Sequence, residues 1–482
     1  MLTPPGLVPL SFDPSLVVNT GPDVGRRALW PPFESGWSDW DVARGVYPYY
    51  GGFPLYALRG YYLVVLQFKT LVSADGWRWW LTRIRLDGST DTSFGSNGWM
   101  LIPKAPSQPD PNDVIIANGR VYTAAGAGNM ALRADCYELQ DTSLPKCPNW
   151  GWPSNTYDFG TGSGTVTAIT QPHLAYYAGH GLYIAAVIAL QGTGELMSVL
   201  KMKLDNDHAP DPAFGVNGYW RGTPRYPGDG FNRAAIRAIA VGAGGYVFVG
   251  GSEWASNEER QTVLYTIPAT TAAPIQHLKR NPGYPYNADG DTEITALSAT
   301  ADGDIVYAGR WASGQASEPM FVGRYRASDG ATPSVCLGAY GACQPDPPWT
   351  VFGVTYRPHS VPVGIVQRGD NGDLVVLQSF SNSGSFGDGH TYNLLQELSH
   401  DASTVIADSA IGYDYQSQMS GTGRNSAPVA LMAAPRLMSG GEDSPTVIAV
   451  AGYRQWSTVD YDATLTVFST DRIFVDDFGG AP

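Results

Sequence analysis

The sequence predicts an all-β fold, specifically a seven-bladed β-propeller whose ring is closed by an N-terminal strand. Three observations carry that expectation: a hairpin-bearing unit recurs every 58 to 69 residues, a turn signature appears twice almost unchanged, and the composition opposes helices.

The repeat decides the architecture. A glycine-bearing turn followed by a run rich in Val, Ile, Tyr and Ala recurs along the whole chain. It appears as Gly60 before YYLVVL, Asn118-Gly119 before RVYTAAG, Gly181 before LYIAAVI and Gly244-Gly245 before YVFVGG. It continues as Asp302-Gly303 before DIVYAG, Asn371-Gly372 before DLVVLQ, and Gly440-Gly441 shortly before TVIAVAG. Asn-Gly and Asp-Gly accept positive φ, so they close tight hairpins whose twist matches the flanking strands. A strand-like run precedes several of these turns (DVIIA, AAIRAIAV), and an alternating run follows the second strand (RWWLTRIRL, LMSVLKMKL). Three or four short strands per unit is the content of one propeller blade. Small residues crowd the strand after the turn, as at Ala124, Ala125, Gly250 and Gly251, which places that strand innermost, beside the axis.

Composition agrees. With 57 Gly and 36 Pro in 482 residues, the chain is rich in the two poorest helix formers. Hydrophobic residues at 43% can bury a large core, which opposes disorder. The predicted organisation is therefore one domain over 1–482, with blades at 51–103, 104–163, 164–224, 225–285, 286–355, 356–420 and 421–482. Residues 7–21 would complete the last blade and so remove an exposed sheet edge. Residues 22–50 would form an aromatic linker or insertion, because Pro interrupts them and alternation is absent.

The unit ends in a second signature. LDGSTDTSFGSNGW and LDNDHAPDPAFGVNGYW share Asp-x-x-Phe-Gly-x-Asn-Gly, at Asp91, Phe94, Gly95, Asn97, Gly98 and at Asp211, Phe214, Gly215, Asn217, Gly218. The Asp of such a turn is suited to hold nearby backbone N–H groups. The segments 81–99 and 200–220 resemble the delta-60 repeat of secreted bacterial β-propellers, a family without a characterised function. That resemblance implies a propeller in an extracytoplasmic or surface setting and supplies no catalytic residues.

Cys136 with Cys147 and Cys336 with Cys343 form two local pairs without the spacing of a zinc site. They read as two short disulfides made in an oxidising compartment, hence an extracellular, cell-surface or periplasmic protein. The start, MLTPPGLVPL, lacks the pattern of a secretory leader, so export implies a leader already removed. No apolar run is long enough to span a bilayer. The net charge of −14 repels phosphate backbones, which disfavours nucleic acid as a partner.

Two groups of residues are candidate sites. Trp30, Trp37, Trp40, Tyr47, Tyr49 and Tyr50 lie close in sequence and suit stacking on a sugar ring or gripping a peptide. The same side chains equally suit packing under a loop. Asn287, Asp289, Asp291 and Glu293 alternate around a Gly turn and offer oxygen ligands to calcium, the one cofactor the sequence suggests. A solvated acidic turn is the plain alternative. No GxSxG elbow, P-loop or HExxH spacing appears, so any catalytic group would come from Asp, Glu, His or Tyr converging at the channel mouth. Two functions stay open. One is a non-catalytic secreted or surface propeller that binds a glycan or protein ligand or self-assembles. The other is an extracellular polysaccharide hydrolase or lyase with its site at the central channel.

Overall fold

A computed structural model describes residues 26–29, 39–49, 61–70, 78–85, 90–104, 109–126, 131–148, 150, 156–157, 159, 165–203, 209–223, 232–255, 260–268, 276–279, 291–300, 303–312, 320–325, 334–337, 349–351, 354–356, 359–368, 372–381, 391–400, 405–411, 426–435, 446–457 and 460–469. Strands dominate, and among the described residues the only helical turn is a short 3-10 segment at Ala243–Gly245.

The short strand β1 (Arg26–Leu29) comes first, followed by β2 (Asp39–Tyr49), β3 (Tyr61–Thr70), β4 (Arg78–Arg85) and β5 (Trp99–Leu101). Next come β6 (Asp113–Ala117), β7 (Arg120–Gly126), β8 (Leu132–Glu138) and β9 (Thr156–Tyr157). The third group is β10 (Val166–Tyr177), β11 (Gly181–Leu190), β12 (Gly194–Met202) and β13 (Tyr219–Arg221). The fourth is β14 (Arg233–Val241), β15 (Val247–Trp254), β16 (Gln261–Ile267) and β17 (Gln276–Lys279). The fifth is β18 (Asp291–Ala299), β19 (Ile305–Ala312), β20 (Met320–Tyr325) and β21 (Ser334–Leu337). A hairpin, β22 (Trp349–Val351) and β23 (Val354–Tyr356), separates it from β24 (His359–Gln367), β25 (Leu374–Ser381), β26 (Thr391–Leu398) and β27 (Val405–Ile411). The last group is β28 (Ser426–Pro435), β29 (Thr446–Ser457) and β30 (Asp460–Ser469).

Within each group consecutive strands pair antiparallel, so the molecule is a series of small meander sheets. β1 pairs antiparallel with β30, Arg26 opposite Thr466, and gives the last group a fourth strand. A single parallel pair, Trp40 with Tyr461, joins that group to β2. The segment 7–21, expected as the closing strand, lies outside the described residues. It is β1, inside the stretch expected to be a linker, that pairs with β30.

The region 22–50 differs from expectation in a second way, because β2 is a regular strand that opens the first sheet. Its alternation is hidden by a bulge between Ala43 and Gly45, which leaves Arg44 as the extra, exposed residue. One inserted residue resets a two-residue period, so strict alternation fails on a real strand. The same irregularity recurs in β10 (Thr170/His173), β14 (Ile236/Ala238), β18 (Ile294/Ala296), β24 (Pro362/Gly364) and β28 (Pro428/Ala430).

Packing is between sheets. First strands meet first strands: β2 with β6, β6 with β10, then β10 with β14, β14 with β18, β18 with β24, β24 with β28, and β28 with β2. The innermost position thus belongs to the strand before each glycine turn and not, as small side chains had suggested, to the strand after it. Those small residues serve the sheet interface. A Cβ on Gly250 would come within 2.7 Å of Ile294 of the next sheet, and one on Gly126 within 2.9 Å of the Ile169 carbonyl. Each apolar cluster likewise spans two neighbouring sheets. Trp79, Leu81 and Phe94 pack with Val114 and Val121, and Ala449 and Leu465 pack with Ala43 and Ile84. No single sheet can bury both its faces alone, so burial ties successive units together.

Turn chemistry follows the sequence closely. Asn118 and Gly119 take φ of 50° and 68° between β6 and β7. The two copies of the end-of-unit signature make the same bonds. Phe94 N–H donates to the Asp91 carbonyl at 3.0 Å and Phe214 N–H to that of Asp211 at 2.9 Å. The Asp side chains accept from Ser93 N–H at 3.2 Å and Ala213 N–H at 3.1 Å. Cys136 and Cys147 form a disulfide, with Cα atoms 5.4 Å apart. Cys336 falls on β21, and its side chain and Cys343 lie outside the described residues.

Candidate functional site

A repeat makes its exceptions visible, and local rules are broken where function or strain requires it. The residue just after each inner-strand bulge is Gly45, Ala238, Ala296, Gly364 or Ala430, small because the first strands crowd together. On β10 that position carries His173, opposite Ala185. On β6, Asp113 stands opposite Ala124 in the corresponding register, four pairs from the turn-closing pair in both hairpins. The second pair before the bulge is Val42–Gln67, Ala235–Ser252, Val361–Ser379 or Ala427–Tyr453 in other units. In β18 and β19 it becomes Glu293–Arg310. These exceptions fall on β6, β10 and β18 with its neighbour β19.

The belt they form begins on β2. The Tyr47 hydroxyl donates to the Val114 carbonyl at 3.1 Å, and burial, with the nearby Asp113 charge, pushes this phenol well above its ordinary range. Asp113 accepts the N–H of Val114 at 2.8 Å on one oxygen and that of Leu174 at 2.8 Å on the other, stapling β6 to β10. Burial raises its carboxyl, opposed by the charge of His173. Burial likewise lowers His173, whose imidazole donates to the Ile236 carbonyl of β14, opposed by Asp113 and reinforced by Arg237. Desolvation dominates both groups, so the pair favours its neutral forms.

Arg237, the extra residue of the β14 bulge, is exposed and carries the belt onward. Its Nε donates to Glu293 Oε2 at 3.1 Å, while Arg310 Nε donates to Glu293 Oε1 at 2.8 Å. Arg260 stands 4.0 Å from Oε2, with its guanidinium 4.6 Å above the Trp254 ring. The Arg260 carbonyl accepts the N–H of Thr292 at 2.8 Å, fixing this loop end to β18. The belt carries guanidinium donors along the innermost strands. Its two carboxylates have both oxygens committed to donors.

The sequence-derived sites fare differently. Trp30, Trp37 and Tyr50 lie outside the described residues. Trp40 and Tyr49 fall near opposite ends of β2, nine residues and therefore ~30 Å apart along the strand. Tyr47 is turned into the packing between the first two sheets. Of the acidic turn, Asn287 and Asp289 lie outside the described residues and Asp291 opens β18. Glu293 is buried, and its oxygens face guanidiniums whose charge opposes a cation at the same carboxylate. Among the described residues no three His, Cys, Asp or Glu side chains gather as metal ligands. Asp113, His173, Arg237 and Arg310 went unrecognised in the sequence. For His173 the signal was a histidine at a position where other units carry Gly or Ala.

No family model matches the chain, and no curated protein matches it. Among solved structures, the N-terminal domain of Nup159 aligns over 91% of this chain and 98% of its own, at 9% identity and a TM-score of 0.36. The quinohemoprotein alcohol dehydrogenase of Comamonas testosteroni covers 92% and 76%, at 10% identity and 0.37. Trypanosoma rangeli sialidase covers 76% of this chain and 55% of its own, at 11% identity and 0.36. At these scores none of them bears on activity. The chain is an all-β protein of several small sheets, and its structural neighbours are propeller-type folds.

Proposed function

We propose that this protein is an extracytoplasmic, non-catalytic β-propeller that binds a glycan at the inner-strand belt. In this reading the four-stranded groups are seven blades, β1 closes the ring as the outer strand of the last, and the units are delta-60 repeats. The Cys136–Cys147 disulfide supports an oxidising compartment.

One observation carries the choice of binding over hydrolysis. Glycoside hydrolysis needs one carboxylate as proton donor and a second as base or nucleophile. In the belt, Asp113 is occupied by two backbone N–H groups and Glu293 by two guanidiniums. Carboxylates so saturated hold a structure in place and make poor proton shuttles.

A glycan array probed with the intact protein, with and without EDTA, tests the reading. Retention of one glycan class with no shortened or unsaturated product after prolonged incubation is the expected result. Release of such products by the wild type would replace this reading with a hydrolase or lyase. Calcium at Asn287, Asp289 and Asp291 is an additional proposal, and loss of retention in EDTA, restored by calcium, supports it.

A further inference from the structure

We propose that Asn118 is a site of spontaneous covalent modification, where deamidation through a cyclic imide yields aspartate and isoaspartate. This inference is independent of the glycan-binding reading.

The reaction needs only the chain and water. The main-chain nitrogen of Gly119 gives its proton to solvent base and attacks the side-chain carbonyl carbon of Asn118. A C–N bond forms there as the bond to the amide nitrogen breaks, and that nitrogen takes up a proton and leaves as ammonia. Water then opens the imide at either carbonyl. One opening gives aspartate. The other gives isoaspartate, whose main chain runs through the side-chain carbon and is longer by that carbon. Nothing is oxidised or reduced. Glycine favours the attack because no side chain shields its nitrogen.

Asn-Gly occurs at 97–98, 118–119, 217–218 and 371–372, so the dipeptide alone does not select among them. Asn97, Asn118 and Asn217 are all exposed and all left-handed, with φ of 54°, 50° and 55°, so neither access nor local backbone separates them. The attacking nitrogen does. Gly98 N–H donates to the Phe94 carbonyl at 2.7 Å, Gly218 N–H to the Phe214 carbonyl at 2.9 Å, and Gly372 N–H to the Arg368 carbonyl at 3.1 Å. Among the described residues no carbonyl accepts the Gly119 N–H, because the two-residue loop between the Ala117–Arg120 pair leaves it outside the ladder.

Space separates the sites as well. A Cβ on Gly98 would lie 2.2 Å from Thr90 and one on Gly218 2.5 Å from Pro210, whereas one on Gly119 meets nothing within 4 Å. Room for the imide ring therefore exists at Gly119 and is closed at the signature turns. Those turns are also held at the glycine carbonyl, which accepts the Thr82 hydroxyl at 3.0 Å in one and Lys201 N–H at 3.0 Å in the other. Gly119 has a carbonyl anchor too, from Leu139 N–H at 2.9 Å, so the longer isoaspartate chain disturbs the exit of β8. Rotation of Asn118 onto its neighbour's nitrogen is the kind of local opening that exposed loop tips allow at small cost.

The surroundings favour the charged product. Burial raises the Tyr176 phenol, while the Arg120 charge and the Asn118 side chain oppose that rise. A carboxylate formed at 118 thus arises beside a cation and a phenol.

The test is peptide mapping of the intact protein after incubation in mildly alkaline heavy-oxygen water, which labels each converted side chain. Aspartate and isoaspartate should accumulate at 118 at least about fivefold faster than at 97, 217 or 371, the protection one hydrogen bond supplies. In concentrated urea the four sites should converge in rate, since the fold alone ranks them. Gly119→Ala, which sets a methyl beside the attacking nitrogen, should slow conversion at 118 and leave the other sites unchanged. Conversion at 97 or 217 as fast as at 118 in the native protein would overturn the proposal. So would an unmodified Asn118 in the native protein when all four sites convert in urea, or a ranking that survives urea unchanged.

Discussion

Position 173 holds a histidine where most inner strands carry glycine or alanine. Burial depresses its pKa below the ordinary 6.5, so the native protein resists protonation that the unfolded chain accepts. As pH falls through about 6.5 the unfolded state binds the extra proton first, and stability declines by at most ~1.4 kcal/mol per pH unit for one group. The groups that act on the imidazole are Asp113 and Arg237, and Asp113 works in the opposite direction. Its raised carboxyl takes up a proton in the native state before the unfolded state does, which favours the fold at the more acidic end of the range. His173→Gln should therefore flatten the decline between pH 7 and pH 5. Urea midpoints at the two pH values read this out, and equal slopes in variant and wild type would remove His173 from the account.

Among elements, the signature turns show how a short sequence fixes a local structure. Gly215 has φ of 53°, and a Cβ there would run into the main chain at Tyr219 and Trp220. Gly119 has a similar φ of 68°, and a Cβ there would meet nothing within 4 Å. The left-handed conformation itself costs an L-residue about 1 to 2 kcal/mol. Gly119→Ala should accordingly cost about 1 kcal/mol, while Gly215→Ala should cost clearly more, upwards of about 2 kcal/mol, because the backbone must also shift. Chemical denaturation of the two variants side by side checks the ordering, and equal losses would show that the close approach at Gly215 relaxes freely.

For the molecule as a whole, the question is what keeps the last sheet from presenting an open edge. β30 pairs along one side with β29 and on the other with β1 from the far end of the chain. An unpaired strand edge is a template for association. Removing residues 1–29 should lower the melting temperature and produce dimers or larger species in size-exclusion chromatography. A truncated protein that melts and elutes as the parent does would show that β1 is dispensable and would count against closure by that strand.

The sequence by itself determined the strand-rich architecture, the beat of the hairpins and the φ of Asn118, Gly119, Asn97 and Gly98, because turns are decided by neighbours in the chain. It also paired Cys136 with Cys147, eleven residues apart. Only the tertiary structure decided which strand lies innermost, since that depends on what the next sheet presents. It also decided that β2 is a strand: the bulge at Arg44 erases the alternation by which a strand is recognised. The belt was beyond local reading for the same reason. Arg237, Glu293 and Arg310 come from three strands and two sheets, with Glu293 56 residues from Arg237 and 17 from Arg310, and meet only when burial of apolar faces draws those sheets together.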